Sequence, residues 1–301
     1  MTDGFINLLK PPGMTSHDAV SLMRKILNIK KIGHTGTLDP GVAGVLPLCV
    51  GKATRLAEYV TNRPKSYRAE ITFGLSTDSQ DAYGHVERES ACTDLRFEQF
   101  LDLIPSFVGE IRQIPPMVSA GRIGGTRLYQ LAREGIEVER RPKLIFIYKI
   151  AVFQSHWHLP NPSVIFDVVC SKGTYIRTLC HDMGEKLGVG AYLSFLIRTQ
   201  SGPFKIEDSL TIEEITRLAG KNNLSFVRPM QEGILFFPPI TVSDDQANAV
   251  LHGNSFILPG SEFREDRLYR VENQENRLLA VGHAIHTTEG VFIFKPEKVF
   301  G

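Results

Sequence analysis

Apolar and polar positions alternate along this chain with two periods. Over Ser16 to Leu27, Val20, Met23 and Leu27 recur at helical spacing, which predicts an amphipathic helix. From Tyr67 to Phe73 the period falls to two, so Tyr67, Ala69, Ile71 and Phe73 are expected on one face of a strand. Val164 to Cys170 repeats that alternation and runs into the turn Ser171-Lys172-Gly173-Thr174. A helix is expected next, with Ile176, Leu179, Cys180, Met183 and Leu187 as its stripe and Gly188 as its stop. Tyr175 and Arg177 then fall at a strand-to-helix turn, where side chains and free amides project into sites.

Further along, Phe236-Phe237-Pro238-Pro239-Ile240 holds two prolines that no continuing helix or central strand accommodates. A boundary is expected there, separating residues 1–238 from residues 241–301. Ser243 and Gln246 form a capping-box pattern ahead of a short helix that reaches His252 and stops at Gly253. Leu268 to Val271, Leu278 to Val281 and Val291 to Phe294 read as strands separated by polar turns. These predict a mostly-β unit of about 60 residues, near the lower size limit for independent stability.

One stretch obeys neither period. Residues 33–55, GHTGTLDPGVAGVLPLCVGKATR, carry five glycines, two prolines and a single acid, Asp39. Because it precedes Pro40, Asp39 is biased toward an extended or turn conformation, and composition alone favours an Asx-turn. His34, five residues upstream in the same glycine-rich segment, keeps open the alternative that the carboxylate is a reagent.

Composition narrows the setting. The four cysteines show neither a CxxC pair nor a zinc-spaced histidine, so reduced thiols in the cytoplasm are expected. No apolar run is long enough to span a membrane, and the N-terminus lacks signal-peptide features. The net charge of +1 excludes no partner. From Arg112 to Lys143, however, seven basic residues stand against three acidic ones, a local balance of +4. That segment is either a solvated helical hairpin or a basic flap over a site. The acids of 78–84 lack the spacing and terminal Glu of a calcium loop.

Gly33-His34-Thr35-Gly36-Thr37-Leu38-Asp39-Pro40, followed by Gly44-Val45-Leu46-Pro47, closely resembles the catalytic motif of the TruB family. Those enzymes are bacterial synthases that convert uridine 55 of the tRNA T-loop to pseudouridine. The resemblance continues in order through Lys10 to Ser16, Lys65-Ser66-Tyr67, Thr77 to Gly84, Pro115 to Ala120, Gly173 to Leu179 and Gly190 to Leu196. The segment ending at Lys295-Pro296-Glu297-Lys298-Val299-Phe300 resembles the family's small RNA-binding PUA-type domain. The implied fold is α+β, a mixed, largely antiparallel sheet with flanking helices, followed by a small β-barrel-like domain.

The same resemblance implies roles. Asp39 aligns with the catalytic aspartate, and a carboxylate suits work as nucleophile, base or stabiliser of an electron-poor sugar. Arg177 aligns with its arginine partner, and a guanidinium can hold a carboxylate in one orientation through two hydrogen bonds. Tyr67 aligns with the tyrosine that stacks on the target base, and Tyr175 and Leu196 with residues lining the pocket. His34 aligns with the histidine beside the extruded uridine, whose chemistry requires the base to leave its stack. Lys10, Asp81, Arg122, Arg127, Arg133 and Arg141 are expected near RNA, the arginines within a clamping insertion at about 112–143. Where the family often carries lysine, this chain reads Gly121-Arg122. The resemblance implies no cofactor and no metal, with tRNA as partner through its T-stem-loop and its acceptor stem. It also implies a monomer with no obligate protein partner and no membrane.

Two readings compete with the isomerase. One is an RNA-folding module whose catalytic residues are incidental to holding the loop. The other is the catalytic subunit of a guide-RNA complex, disfavoured by the absence of long basic tails and by the chain's own basic insertion. A glycoside hydrolase would usually want a second carboxylate flanking the bond.

Overall fold

The computed structural model describes residues 2–119 and 121–301, apart from the side chains of residues 122, 123, 127, 129 and 133. The chain opens with strand β1 (Gly4–Lys10) and helix α1 (Ser16–Leu27). Thr15 starts the helix through a capping box, its hydroxyl accepting from the Asp18 amide while the Asp18 carboxylate accepts from the Thr15 amide. Asn28, in the left-handed region at φ 52°, ends it. Strands β2 (Ile32–His34) and β3 (Ala43–Val50) follow, with the Asp39 loop between them.

Past the short helix α2 (Ala57–Thr61) come β4 (Lys65–Phe73), the hairpin β5 (Leu75–Thr77) and β6 (Val86–Glu89), helix α3 (Phe97–Leu103) and β7 (Gly109–Gln113). The basic insertion is a two-stranded ribbon, β8 (Arg122–Ile123) and β9 (Thr126–Arg127), leading into α4 (Leu128–Arg133). It is therefore not a helical hairpin; Gly124 and Gly125, both at positive φ, make the tight turn that a ribbon requires. Strands β10 (Lys143–His156) and β11 (Ser163–Cys170), helix α5 (Ile176–Lys186), strands β12 (Ala191–Ser201) and β13 (Phe204–Lys205) and helix α6 (Ile212–Gly220) complete the larger unit.

Its sheet runs in the order β1-β3-β12-β4-β11-β10-β7, with β2 paired to β3 and β13 to β12. Pairing is antiparallel except between β12 and β3, where Ile197 meets Ala43 and Arg198 meets Gly44. Two cores form against it. Ala69, Ile71, Phe166 and Val168 pack on Leu179 and Met183 of α5. Ile6, Leu8, Leu46 and Leu48 pack on Val20 and Met23 of α1 and on Ile215 of α6. Tyr67 and Leu196 touch both cores, so the seam between them runs beneath the Asp39 loop.

The C-terminal residues build a curled half-barrel from β14 (Pro239–Thr241), α7 (Asp244–Leu251), β15 (Phe256–Ile257), β16 (Leu268–Glu272), β17 (Leu278–His286) and β18 (Phe292–Val299), ordered β14-β16-β17-β18-β15. Pro239 opens an edge strand, where its missing N–H costs no ladder bond. Leu278, Val281 and Phe300 bury against Phe5, Val45 and Leu56 of the larger unit. The Tyr59 hydroxyl donates to Glu297 at 2.8 Å, and Lys298 pairs with Glu58. Among the described residues, no helix is long and apolar enough to cross a membrane.

Candidate active site

Asp39 sits in a true turn, with its carbonyl accepting from the Val42 amide at 3.0 Å. Its carboxylate serves a different end. Oδ2 meets Arg177 Nη2 at 2.9 Å, and the aspartate side chain stays 50 % exposed while the arginine is buried. Turn and reagent, alternatives in the sequence, are thus compatible in one residue: the backbone makes the turn and the side chain faces a cavity of about 470 Å3. That size suits one small-molecule-sized group, such as a nucleoside. Tyr67, Tyr175, Arg177, Leu196 and Asp81 line the same cavity.

Arg177 is the second residue of α5, where the helix dipole disfavours a cation. Asp39 offsets that on one side and Asp81 on the other, its Oδ2 lying 3.5 Å from Nη1. Nη2 also donates to the Val118 carbonyl at 2.7 Å, which ties the guanidinium to the start of the basic insertion. Asp81 is itself fixed, since its Oδ1 accepts from the Ser79 hydroxyl at 2.6 Å and the Tyr83 amide at 3.0 Å. Tyr175, the N-cap of α5, is clamped through its backbone: Gln113 accepts from its amide at 2.8 Å and donates to its carbonyl at 2.9 Å.

Two cations support the loop from below. Arg198, 1 % exposed, donates Nε to the Val45 carbonyl at 2.7 Å and its terminal nitrogens to Thr37 and Gly36 at 3.2 and 3.3 Å. Lys10, 0 % exposed, donates Nζ to the carbonyls of Pro11 and Met14 at 2.8 Å and of Pro40 at 3.4 Å. Lys10, expected near RNA, is thus buried, with its donors serving loop carbonyls. Burial first, and Arg198 second, lower the Lys10 ammonium to about 8, against an opposing pull from Asp39. Lys65, bound to the carbonyls of Thr61 and Arg63, is likewise lowered to about 8 by burial and then by Arg198.

Burial raises the Tyr67 phenol, with Arg198 pulling the other way. His34 closes β2; its Nδ1 accepts from the Gly36 amide at 3.3 Å. Burial, then the Arg198 charge, hold the ring below the ordinary histidine range, so it is neutral at pH 7. His34 is outside the cavity lining, and Arg141 lies exposed in the segment before β10. The side chains of Arg122, Arg127 and Arg133 lie outside the described residues.

Sequence reasoning passed over Arg198, Lys65 and Gln113 as parts of this site. Arg198 left one trace, a charge directly after the apolar run Phe195-Leu196-Ile197. Gln113 left none, because its function depends on a turn that only the fold brings near.

Residues 24–176 match the model of the TruB family pseudouridylate synthase N-terminal domain, and residues 177–233 that of the tRNA pseudouridylate synthase B C-terminal domain. The chain is 53 % identical over 251 residues to tRNA pseudouridine synthase B of Symbiobacterium thermophilum, covering 83 % of this chain and 82 % of that one. It is 43 % identical to the Moorella thermoacetica protein of the same name over 303 residues, covering 99 % of both. Among solved structures, a chain of a Cbf5-Nop10-Gar1 complex superposes with a TM-score of 0.75 at 31 % identity, covering 99 % of this chain and 85 % of that one.

Proposed function

Because the chain belongs to the TruB family of tRNA pseudouridine synthases, we propose that it isomerises uridine 55 of the tRNA T-loop, with Asp39 as the reacting carboxylate. The family makes the chain an isomerase of uridine in tRNA; the position and the role of Asp39 are this reading's own. The observation that carries it is the Asp39–Arg177 pair at 2.9 Å on the wall of a nucleoside-sized cavity.

The reaction is redox-neutral. The bond from C1′ to N1 breaks, a bond from C1′ to C5 forms, C5 releases its hydrogen as a proton and N1 gains one. An anionic group beside C1′ serves this exchange either as nucleophile or by stabilising positive charge on the sugar. Arg177 holds that group in place, and Tyr67 offers the base an aromatic face once it has left the T-loop stack. The neutral His34 ring stands next to the loop, ready to fill polar space that the base vacates. The basic segment from Arg112 to Lys143 supplies phosphate contacts, so RNA affinity falls as salt rises. The chain acts in the cytoplasm, in keeping with its four free cysteines, and the family resemblance extends the reading to a monomer without an obligate protein partner.

The test is pseudouridine formation in an unmodified T-stem-loop RNA by wild type and Asp39→Asn. Wild type yields product at the T-loop uridine. Asp39→Asn loses on the order of 10^2–10^4-fold or more in rate while still binding the RNA. Product from Asp39→Asn at the wild-type rate removes Asp39 from the chemistry.

A further inference from the structure

The Tyr83 side chain takes no part in the site as described so far, yet its surroundings are unusual. It borders the cavity from the loop between β5 and β6 and is 80 % exposed. An isolated exposed aromatic would need no explanation. The hydroxyl end of this one closes on the turn that carries Asp39. A methyl group on Gly41 would stand 2.5 Å from Cε2 and 2.8 Å from Cζ of the Tyr83 ring, so the absence of a side chain at position 41 makes room for it.

The loop beneath the ring is cross-linked. The Asp81 carboxylate accepts from the Tyr83 amide, and Asp78 exchanges bonds with His85, its amide donating to the His85 carbonyl at 3.1 Å and its Oδ1 accepting from the His85 amide at 2.9 Å. The Ala82 amide donates to the Leu193 carbonyl of β12 at 3.0 Å, fastening the loop to the sheet. Asp81 also reaches Arg177, so one carboxylate sets both the ring's base and the arginine that holds Asp39.

We propose that Tyr83 is a binding residue for the substrate RNA, its ring forming a stacking platform at the mouth of the site for a nucleobase adjacent to the target uridine. The inference rests on the function proposed above, and adds to it the recognition of a second nucleotide. A base that leaves the loop stack uncovers the apolar faces of the neighbours it was stacked between. A ring held on a cross-linked turn covers such a face with little further loss of freedom. Base–aromatic stacking of this kind tolerates any base, so Tyr83 contributes affinity and placement but no sequence choice.

The test compares wild type, Tyr83→Ala, Tyr83→Phe and Tyr83→Leu for binding and turnover of the unmodified T-stem-loop RNA. It is repeated on RNAs made abasic at each nucleotide next to the target. Stacking lost at a rim position predicts a Kd for Tyr83→Ala about 5- to 10-fold weaker and a higher KM, with a nearly unchanged rate at saturation. Phe restores wild-type binding and Leu does not. At one abasic position wild type weakens to the level of Tyr83→Ala, and the substitution costs nothing more. Wild-type binding by Tyr83→Ala, equal rescue by Leu and Phe, or a full Tyr83→Ala penalty on every abasic RNA each overturns the proposal. Failure of wild type to make pseudouridine would instead strike the proposed function, and the binding comparisons would still decide the role of Tyr83.

Discussion

At the scale of single residues, the site divides its charges by task. Arg177 faces the cavity and meets two carboxylates and one carbonyl, whereas Arg198 bonds three backbone carbonyls and the Tyr67 phenol, and Lys10 three carbonyls. Lysine cannot reproduce the first pattern, because its point charge lacks the planar fork. Arg177→Lys should therefore lose roughly 10- to 100-fold in kcat, the worth of one charged hydrogen bond of about 1.5–3 kcal/mol, with RNA affinity little changed. Steady-state kinetics check this, and a purely KM effect would contradict it. Lys10 carries a pH signature. Its folded value of about 8 lies below the ordinary 10.5, so between those limits the unfolded chain binds more protons and stability rises with pH. Wild type should gain on Lys10→Met as pH climbs from 8 toward 10 in urea titrations; a constant gap would show that Lys10 does not titrate there.

At the scale of elements, the parallel contact between β3 and β12 is the tightest join near the site. Gly44 has φ 123°, and a Cβ there would come within 2.3 Å of the Arg198 carbonyl oxygen. Gly44→Ala should cost about 2–4 kcal/mol by chemical denaturation, and a loss below about 0.5 kcal/mol would show that the strands can part without penalty. Gln113→Ala strips two bonds from the Tyr175 backbone and leaves a half-buried amide unpaired. We expect about 1–3 kcal/mol of lost stability together with slower turnover; normal kcat would dissociate the clamp from the site. The elements themselves were largely legible. The helix over Ser16–Leu27 and the strands over 67–73 and 164–170 were readable because periodicity and end signals are local. The joins between them were not. Nothing near Asp39 in the chain announces Arg177 as its partner, and only the resemblance linked the two. A buried lysine such as Lys10 reads as surface charge until the carbonyls that satisfy it are seen.

At the scale of the whole molecule, the half-barrel and the larger unit share a core. Phe300 sits fully inside it, beside residues from both. Phe300→Ala should lower the stability of the entire chain by about 3–5 kcal/mol in one cooperative transition. Two separate transitions, one shifted and one not, would show instead that the units melt apart. The buried lysines have a last consequence, for chemical labelling. Amines with values near 8 are good acylation targets at neutral pH, yet Lys10 is buried and Lys65 is only 5 % exposed on the cavity wall. Their modification therefore waits on opening of the fold. Timed acylation read peptide by peptide would turn these two side chains into clocks, Lys10 counting how often the Asp39 loop lifts and Lys65 how often the strand beneath the cavity frays.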